Sequence, residues 1–329
     1  MFKHDNQAIP YPAQVAAREV KNFTWDVSGV QGQYSYSNPH ADLYLYLSQW
    51  SDMETYLNVG YSKPGQYHLH VNSHRRLINR LADGLVDLHA ASPHAADRRL
   101  LDVASGRGGA AIHAFKRYGL EVVGIDITPY NARRAMENSQ TELVWPQVRF
   151  GMGNSQRIPL ADASFSMVWS IESPAHFADK PTFLQEVARV LIPGGAFTFA
   201  DLLVVEDVAT ASAENRQIYD DFLRVWDVPY LETFDSYKQA VARAGLELRR
   251  TEIVTRYNLD ILNRDCVIFL WLSRPYWLYN LYSRYLKWRT GANLDYVYEH
   301  VLASHRALRL GMIDYGLFWA VRPAGASNY

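Results

Sequence analysis

Residues 100–109 read Leu100-Leu101-Asp102-Val103-Ala104-Ser105-Gly106-Arg107-Gly108-Gly109. A short apolar run with an acidic residue near its end, passing at once into a glycine-rich turn, is typical of a buried parallel strand that feeds a helix beside a nucleoside-type ligand. Glycine is needed in such a turn because the backbone bends tightly and the ligand approaches the main chain directly. The stretch therefore predicts an α/β fold with a ligand at the carboxyl edge of its sheet.

A second apolar strand, Val122-Val123-Gly124-Ile125, ends in Asp126, eighteen residues beyond Gly108. A carboxylate at this strand tip can accept hydrogen bonds from both hydroxyls of a ribose. The spacing Gly106-x-Gly108-x-x-Ala111 also fits a dinucleotide fingerprint. An NAD(P)-dependent oxidoreductase is therefore an alternative for this segment taken alone.

Charge and cysteine content exclude several classes of protein. The chain has 329 residues, with 33 Lys and Arg against 34 Asp and Glu, so its overall charge favours neither nucleic acid nor an anionic membrane as a partner. A single cysteine, Cys266, excludes an internal disulfide. Residues 1–12 lack the apolar core of a secretory signal, and the longest apolar run, residues 266–272, is too short to span a bilayer. We expect a cytoplasmic protein with no integral membrane segment.

Alternating strand-like and helix-like patterns over residues 98–203 predict repeated βα units. The predicted strands are 99–103, 121–125, 147–151, 165–171, 196–201, 246–255 and 313–321, and the predicted helices are 71–88, 108–118, 129–139, 180–191 and 233–244. We divide the chain into an N-terminal cap and substrate segment (1–95), a cofactor-binding core (96–255), an aromatic-rich helical insertion (256–312) and a last core strand with a tail (313–329).

Further motifs follow the glycine turn and Asp126. They are Gly153-Asn154-Ser155 with Ile158-Pro159-Leu160, then Ile171-Glu172-Ser173-Pro174-Ala175-His176, then Glu186-Val187-Ala188-Arg189-Val190-Leu191 running into Ile192-Pro193-Gly194-Gly195. In this order and spacing the chain resembles the class I S-adenosylmethionine-dependent methyltransferases, specifically the natural-product and sugar O-methyltransferase group. The resemblance implies a doubly wound, mainly parallel, seven-stranded Rossmann-like sheet with a helical cap, and S-adenosyl-L-methionine as cofactor.

The resemblance also implies which residues bind the cofactor. They are Tyr61, Asp102, Ala104, Ser105, Gly106, Gly108, Asp126, Ile127, Asn154, Ser155 and Ile171. Two of them depart from the family pattern. Ala104 stands where glycine is usual, so we expect a slightly altered turn. Asn154 replaces an aspartate, but either side chain can accept a hydrogen bond from the adenine amino group. The later motifs have no counterpart in a hydride-transfer enzyme, which disfavours the oxidoreductase.

His176 and Asp201 are the candidate catalytic residues. The resemblance places them at positions that act on the acceptor hydroxyl. His176 lies in the loop after the fourth predicted strand and Asp201 at the end of the fifth, at the carboxyl edge of the sheet where ligands bind. The cofactor carries the activation for methyl transfer, so the protein must align the acceptor and remove its proton, which a histidine can do. The alternative is that His176 is a loop histidine that makes a local hydrogen bond, and that Asp201 caps the end of a strand.

His70, His74 and Glu172 are candidate acceptor contacts. Because His68, His70 and His74 enclose no glutamate, and methyl transfer needs no metal, we predict no metal site. The aromatic residues of 276–288 are interleaved with Arg and Lys, which fits core or dimer packing, a lid over a bulky apolar acceptor, or an interfacial helix that touches lipid. We favour a lid combined with packing.

The fourth predicted strand is followed by Ile171-Glu172-Ser173-Pro174, which differs from the Asn/Asp-Pro-Pro-Tyr motif of methyltransferases that modify nucleic-acid bases or protein amides. We therefore expect a small-molecule acceptor, methylated at a hydroxyl with His176 as general base, and no nucleic-acid partner. The alternative is C- or N-methylation of an apolar or aromatic metabolite, with or without coupled cyclisation. The sequence is compatible with both a monomer and a homodimer.

Overall fold

The structure, a computed structural model, describes residues 55–62, 71–205, 211–290 and 294–324. Its strands are β1 Arg99–Val103, β2 Glu121–Asp126, β3 Val148–Met152, β4 Phe165–Ile171, β5 Leu191–Val204, β6 Glu247–Ile253 and β7 Ile313–Val321. Its helices are α1 Val71–Ala90, α2 Gly109–Tyr118, α3 Pro129–Thr141, α4 Lys180–Val190, α5 Ala213–Trp226, α6 Phe234–Arg243, α7 Leu259–Leu272, α8 Tyr276–Thr290 and α9 Leu294–Arg309. Short 3-10 turns cover Pro174–His176 and Thr255–Tyr257.

The seven strands form one sheet in the order β3-β2-β1-β4-β5-β7-β6. Strands β1 to β5 pair in parallel, and β7 runs antiparallel to both β5 and β6. The predicted doubly wound, mainly parallel α/β fold is therefore confirmed. The strand order reverses between β1 and β4, and in open α/β sheets the crevice at such a reversal is where ligands bind.

Buried side chains of alternate residues on each strand pack against helices on both faces of the sheet. Leu101 and Val168 lie in a core with α4 and α6, whereas Leu100 and Met167 lie in a core with α1, α2 and α3. Strands this apolar on both faces are expected only when helices cover both sides. The domain boundaries at 95, 255 and 312 stay predictions.

The strand β5 departs from the predicted elements at its start. This strand begins at Leu191 rather than 196, because Leu191 pairs with Phe165 while Ala196 pairs with Met167, so the residues between them form a bulge. The glycine pair folds this bulge against the end of β7, where the Gly194 amide donates to the Arg322 carbonyl at 2.8 Å. The Pro-Gly-Gly motif therefore forms the bulge at the start of β5, directly after helix α4.

Helix α5 was not among the predicted elements. Its first turn is capped by Ser212, whose side chain accepts a hydrogen bond from the Asn215 amide. The 256–312 insertion folds, within its described residues, into α7, α8 and α9. None of the helices in the described ranges is both long and apolar enough to cross a membrane.

Candidate active site

A cavity of about 230 Å³ opens at the carboxyl ends of β1, β2 and β4, where the strand order reverses. Of the residues predicted to bind cofactor or acceptor, those that line it are Asp102, Ala104, Ser105, Gly106, Asp126, Ile127, Asn154, Ser155, Ile171, Glu172 and His176. Tyr61, His74, Gly108 and Asp201 do not line it, and His70 lies outside the described residues. Most of the predicted site thus converges on one cavity.

The turn after β1 has left-handed backbone at three of its residues. Ala104 has φ 60°, Gly106 has φ 55° and Gly108 has φ 84°. At Ala104 the β-carbon makes this conformation cost about 1–2 kcal/mol. Strained residues of this kind are common at ligand-binding sites, where the packing of the surrounding fold holds the backbone in an otherwise unfavourable conformation. Alanine thus adopts the conformation that glycine would take at no such cost.

We expect Gly108→Ala to lower the free energy of unfolding by about 2–4 kcal/mol. The left-handed backbone costs a non-glycine residue about 1–2 kcal/mol, and a β-carbon here would lie 2.7 Å from Cζ of Phe150, inside a packed core. Chemical denaturation measures the change. Gly151→Ala is the matched control, because a β-carbon there has nothing within 4 Å. Equal stability of the two variants would contradict the turn geometry.

Asp126 ties the second strand to the glycine turn. Its Oδ2 accepts a hydrogen bond from the Gly106 amide at 2.9 Å, and its Oδ1 accepts one from the Thr128 amide at 2.8 Å. Burial raises the pKa of the carboxyl to about 6, and these amides offset part of that rise. Since a carboxylate offers about four acceptor positions, it can hold the turn and still accept hydrogen bonds from a ligand.

Three buried oxygens around the cavity lack a hydrogen-bond partner within the described part of the chain. They are Oδ2 of Asp102, Oγ of Ser105 and Oδ1 of Asn131, all on residues that line the cavity. Burial raises the pKa of Asp102 to about 7. An unsatisfied buried polar atom costs about 1–3 kcal/mol, so these positions fit a polar ligand that supplies donors. A nucleoside carrying an amino-acid moiety has donors of this kind.

Glu172 has an unusual backbone and three hydrogen bonds. Its φ is 57°, and its carboxyl oxygens accept the Val59 amide at 3.0 and 2.8 Å and the Tyr315 hydroxyl at 2.5 Å. Burial raises the pKa of Glu172 to about 8, although these donors lower it in part. The acid thus joins β4, β7 and the segment before α1 at the cavity wall. Tyr315 is a site residue that the sequence reasoning missed.

His176 lies in the 3-10 turn after β4. Its Nδ1 is 3.2 Å from the carbonyl oxygen of Asp227. Burial lowers the pKa of His176 to about 4, and the charge of Lys180 lowers it further, while the Asp227 carbonyl opposes both. The ring is therefore neutral at physiological pH, with a lone pair on one nitrogen.

A second cavity of about 40 Å³ shares Leu57, Glu172 and His176 with the first. Its remaining walls are apolar residues from the segment before α1, the turn after β4, β5, α5 and the loop after it, α7 and α9. They are Val59, Ala175, Leu202, Phe222, Trp226, Val228, Leu259, Leu262 and Leu308. Among the described lining residues, Glu172 and His176 are the only ionisable ones. The sequence carried no local signal for this cavity, because its walls are distant along the chain.

Asp201 is fully buried and lines neither cavity. Its carboxylate accepts hydrogen bonds from the Tyr237 hydroxyl and, at 3.0 Å, from the Ala175 amide next to His176. Burial raises the pKa of Asp201, and the charge of Lys180 opposes that rise. This geometry suits a residue that holds the histidine turn in place.

Lys180 also holds the turn that contains His176, through hydrogen bonds to its carbonyl groups. Its buried ammonium donates to the carbonyls of Ala175 at 3.3 Å, Phe177 at 3.1 Å and Tyr230 at 2.9 Å. Burial lowers the pKa of Lys180, and the negative charge of Asp201 opposes this. The peptide groups on both sides of His176 are thus fixed by buried charged residues.

We expect Lys180→Met to lower the free energy of unfolding by about 3–5 kcal/mol, because it leaves a buried carboxylate uncompensated and three carbonyls without their donor. Chemical denaturation measures this. The control is Lys238→Met, whose ammonium pairs at the surface with Asp235, and which should change stability by less than about 1 kcal/mol. A similarly small effect at Lys180 would show that the ammonium does not hold this turn.

The remaining predicted contacts lie behind the cavity wall. Tyr61 stacks on Tyr257, with ring centroids 5.0 Å apart. His74 is buried, its Nδ1 lies 3.2 Å from Oδ1 of Asn58, and Asn58 lines the cavity. The described residues contain no group of three or more His, Cys, Asp or Glu that could hold a metal ion. His68 and His70 lie outside those residues.

Comparison with known proteins agrees with this geometry. Residues 101–199 match the methyltransferase domain family. The chain is 33% identical over 156 residues to methyltransferase GfsG of Streptomyces halstedii, covering 46% of this chain and 54% of that protein. It is 33% identical over 182 residues to 27-O-demethylrifamycin SV methyltransferase of Amycolatopsis mediterranei (strain S699), covering 55% of this chain and 63% of that protein. The chain thus spans between half and two thirds of these relatives.

A solved structure of similar fold is the cyclopropane synthase MmaA2 from Mycobacterium tuberculosis. Its TM-score is 0.68 at 18% sequence identity, over 92% of this chain and all of that one. At this identity the likeness concerns the fold. The matched domain over residues 101–199 and the glycine turn between β1 and α2 agree with the resemblance noted in the sequence: this part of the chain is a methyltransferase domain of the class I S-adenosylmethionine-dependent type.

Proposed function

We propose that this protein transfers the methyl group of S-adenosylmethionine to a hydroxyl of an apolar small molecule, with His176 as general base. The observation that carries the proposal is the position of His176, which lies on the wall shared by the larger polar cavity and the smaller apolar one. A base at this boundary is placed to act on an acceptor held next to the cofactor. The 27-O-demethylrifamycin SV methyltransferase, by its name, methylates a demethylated natural product.

The larger cavity fits the cofactor. Asp126 is placed to accept hydrogen bonds from the ribose hydroxyls, and Asn154 and Ser155 line the same cavity, where they would contact adenine. The unpartnered Oδ2 of Asp102 suits the ammonium of the methionine moiety. When bound, S-adenosylmethionine supplies the activated methyl group.

The smaller cavity fits an apolar acceptor with one polar group. Its described lining contains no Lys or Arg, so it offers no partner for a phosphate or carboxylate. The two ionisable groups, on Glu172 and His176, lie where the cavities meet. An apolar molecule bound there would place a hydroxyl against these groups and its carbon skeleton against Phe222 and Trp226.

The hydrogen bonding of His176 selects its reactive nitrogen. Because a carbonyl can only accept, the contact from Nδ1 to the Asp227 oxygen assigns the proton to Nδ1. The lone pair then resides on Nε2, which can take the proton of the acceptor hydroxyl as its oxygen attacks. A general base of this kind contributes about 10²–10⁴-fold to the rate. Lys180 and Asp201 act by positioning the turn.

Incubation with methyl-labelled S-adenosylmethionine and three related acceptors tests the proposal. The set is an apolar alcohol or phenol with one free hydroxyl, its methyl ether, and its phosphate ester. We expect label only in the first, attached to oxygen as located by NMR. Equal labelling of the ether would identify carbon as the methylated atom. Preference for the phosphate ester would contradict the apolar acceptor site.

A further inference from the structure

Exposed apolar side chains concentrate in one part of the molecule. Of the sixteen large hydrophobic residues exposed among the described residues, ten lie between 267 and 288, in α7 and α8. They are Val267, Ile268, Trp271, Leu272, Tyr276, Trp277, Leu278, Leu281, Tyr285 and Trp288. We call these ten residues the aromatic surface. An apolar patch of this kind on a folded protein marks an interaction site.

Helix α8 is apolar on two opposite faces. Tyr279, Tyr282 and Leu286 recur at helical spacing and belong to a buried cluster with α9. On the other side Trp277, Leu281, Tyr285 and Trp288 also recur at helical spacing, and Trp277 and Trp288 are 72% and 82% exposed. Among the described residues, packing therefore uses only the first face of α8, and the second face needs a further partner to be removed from water.

The part of the chain that carries the aromatic surface has positively charged side chains and no negatively charged ones. No Asp or Glu occurs between residues 266 and 293, whereas Arg274, Arg284 and Lys287 are exposed there. The whole chain has a net charge of −1, so the net charge does not reveal this local excess of positive charge. The overall balance gave no electrostatic reason to expect an anionic membrane as a partner, but this segment, taken alone, does give one.

We propose that the aromatic surface docks on an anionic lipid bilayer, with α8 lying in the headgroup region. Trp and Tyr side chains mixed with Arg and Lys suit that region, because the rings enter the apolar boundary while the cations meet lipid phosphates. A second copy of the chain fits less well, since a symmetric contact would bring two cationic surfaces together with no Asp or Glu between residues 266 and 293 to pair with Arg284 and Lys287.

Helix α7 links this surface to the acceptor cavity. Leu259 and Leu262, in its first turn, line the smaller cavity, whereas Val267, Ile268 and Trp271, near its other end, belong to the aromatic surface. If the proposed function holds, an apolar acceptor dissolved in the bilayer has a short path to His176. The docking itself does not depend on methyl transfer.

Vesicle flotation with the full chain tests the docking. We expect the protein to float with vesicles of phosphatidylcholine and phosphatidylglycerol, and to do so less in high salt or with phosphatidylcholine alone. Trp277→Ser with Trp288→Ser should reduce the bound fraction about tenfold or more. Arg284→Glu with Lys287→Glu should reduce it about 25-fold or more, since each cation near an anionic surface contributes about fivefold.

The matched control is Trp145→Ser, because Trp145 is 46% exposed but precedes β3, at the opposite edge of the sheet from β6. This variant should float like the wild type. All of the substituted side chains are exposed, and an unchanged melting temperature checks that each variant folds. Absence of flotation, equal flotation of the double-tryptophan variant, or a dimer that the variant abolishes without any vesicle binding would each overturn the proposal.

Discussion

We expect His176→Ala to lower kcat by about 10²–10⁴-fold, the contribution of a positioned general base. Affinity for S-adenosylhomocysteine should change little, because the ribose and amino-acid groups contact other residues in our assignment. Steady-state kinetics on the labelled acceptor and calorimetry with S-adenosylhomocysteine measure the two quantities. An unchanged kcat would contradict the role of His176 as general base.

The control for this substitution is His113→Ala. Burial also lowers the pKa of His113 to about 4, but this histidine lies on α2, bonds to Asn79 and lines neither cavity. Its removal should leave kcat within about twofold, since it makes no contact with the proposed reacting groups. A comparable loss at both positions would indicate a general effect on folding.

The pH dependence of kcat/KM, which reports the ionisations of the free enzyme, adds an independent check on His176. A protonated imidazole cannot accept a proton, so activity falls as pH drops through the pKa of the base. Because burial lowers that pKa to about 4, the acid limb due to His176 should lie near pH 4 rather than at the ordinary value of 6.5. A limb at 6.5 that disappears in His176→Ala would contradict the buried environment.

We expect Asp126→Ala to weaken binding of S-adenosylhomocysteine by about 10²–10⁴-fold. Two hydrogen bonds from ribose hydroxyls to a charged group are worth about 1.5–3 kcal/mol each. The substitution also leaves the Gly106 and Thr128 amides without their acceptor, which loosens the turn. Calorimetry measures the affinity.

Asp126→Asn is the informative companion, because it keeps the size and one acceptor oxygen but removes the charge. The affinity of Asp126→Asn for S-adenosylhomocysteine should lie between that of the wild type and that of Asp126→Ala. Unchanged affinity in both variants would mean that Asp126 serves the turn alone and that the ribose binds elsewhere.

The sheet was largely predictable because each parallel strand is a short apolar run bounded by turn residues. The predicted strands 99–103, 165–171 and 313–321 match β1, β4 and β7 residue for residue. Helix α5 was missed although its buried residues Tyr219, Phe222 and Leu223 recur at helical spacing. It packs against α9, far along the chain. The bulge in β5 depends likewise on pairing with the end of β7.

At the site, the local motifs could be found from sequence, whereas the long-range contacts could not. Asp102 and Asp126 lie at or near the ends of the neighbouring strands β1 and β2, and Gly106 lies in the turn after β1, so their convergence follows from the topology. The contacts that Glu172 makes with Val59 and Tyr315 join residues 113 and 143 positions apart. No spacing rule reaches that far.

The case of Asp201 shows how side-chain direction limits such predictions. A strand-end carboxylate was expected at the ligand edge, and Asp201 does lie near the end of β5, but its side chain turns toward Tyr237 and the Ala175 amide. Which face a strand residue presents depends on the register of pairing, here with Gly316 of β7.

The most direct test of the central claim is calorimetric titration of the purified protein with S-adenosylhomocysteine, with NAD and NADP titrated in parallel. We expect saturable, one-to-one binding of S-adenosylhomocysteine and no binding of either nicotinamide cofactor, because the turn, Asp102 and Asp126 suit a nucleoside joined to an amino acid. Binding of NAD or NADP in place of S-adenosylhomocysteine would contradict the methyltransferase account and identify the glycine turn as a dinucleotide site.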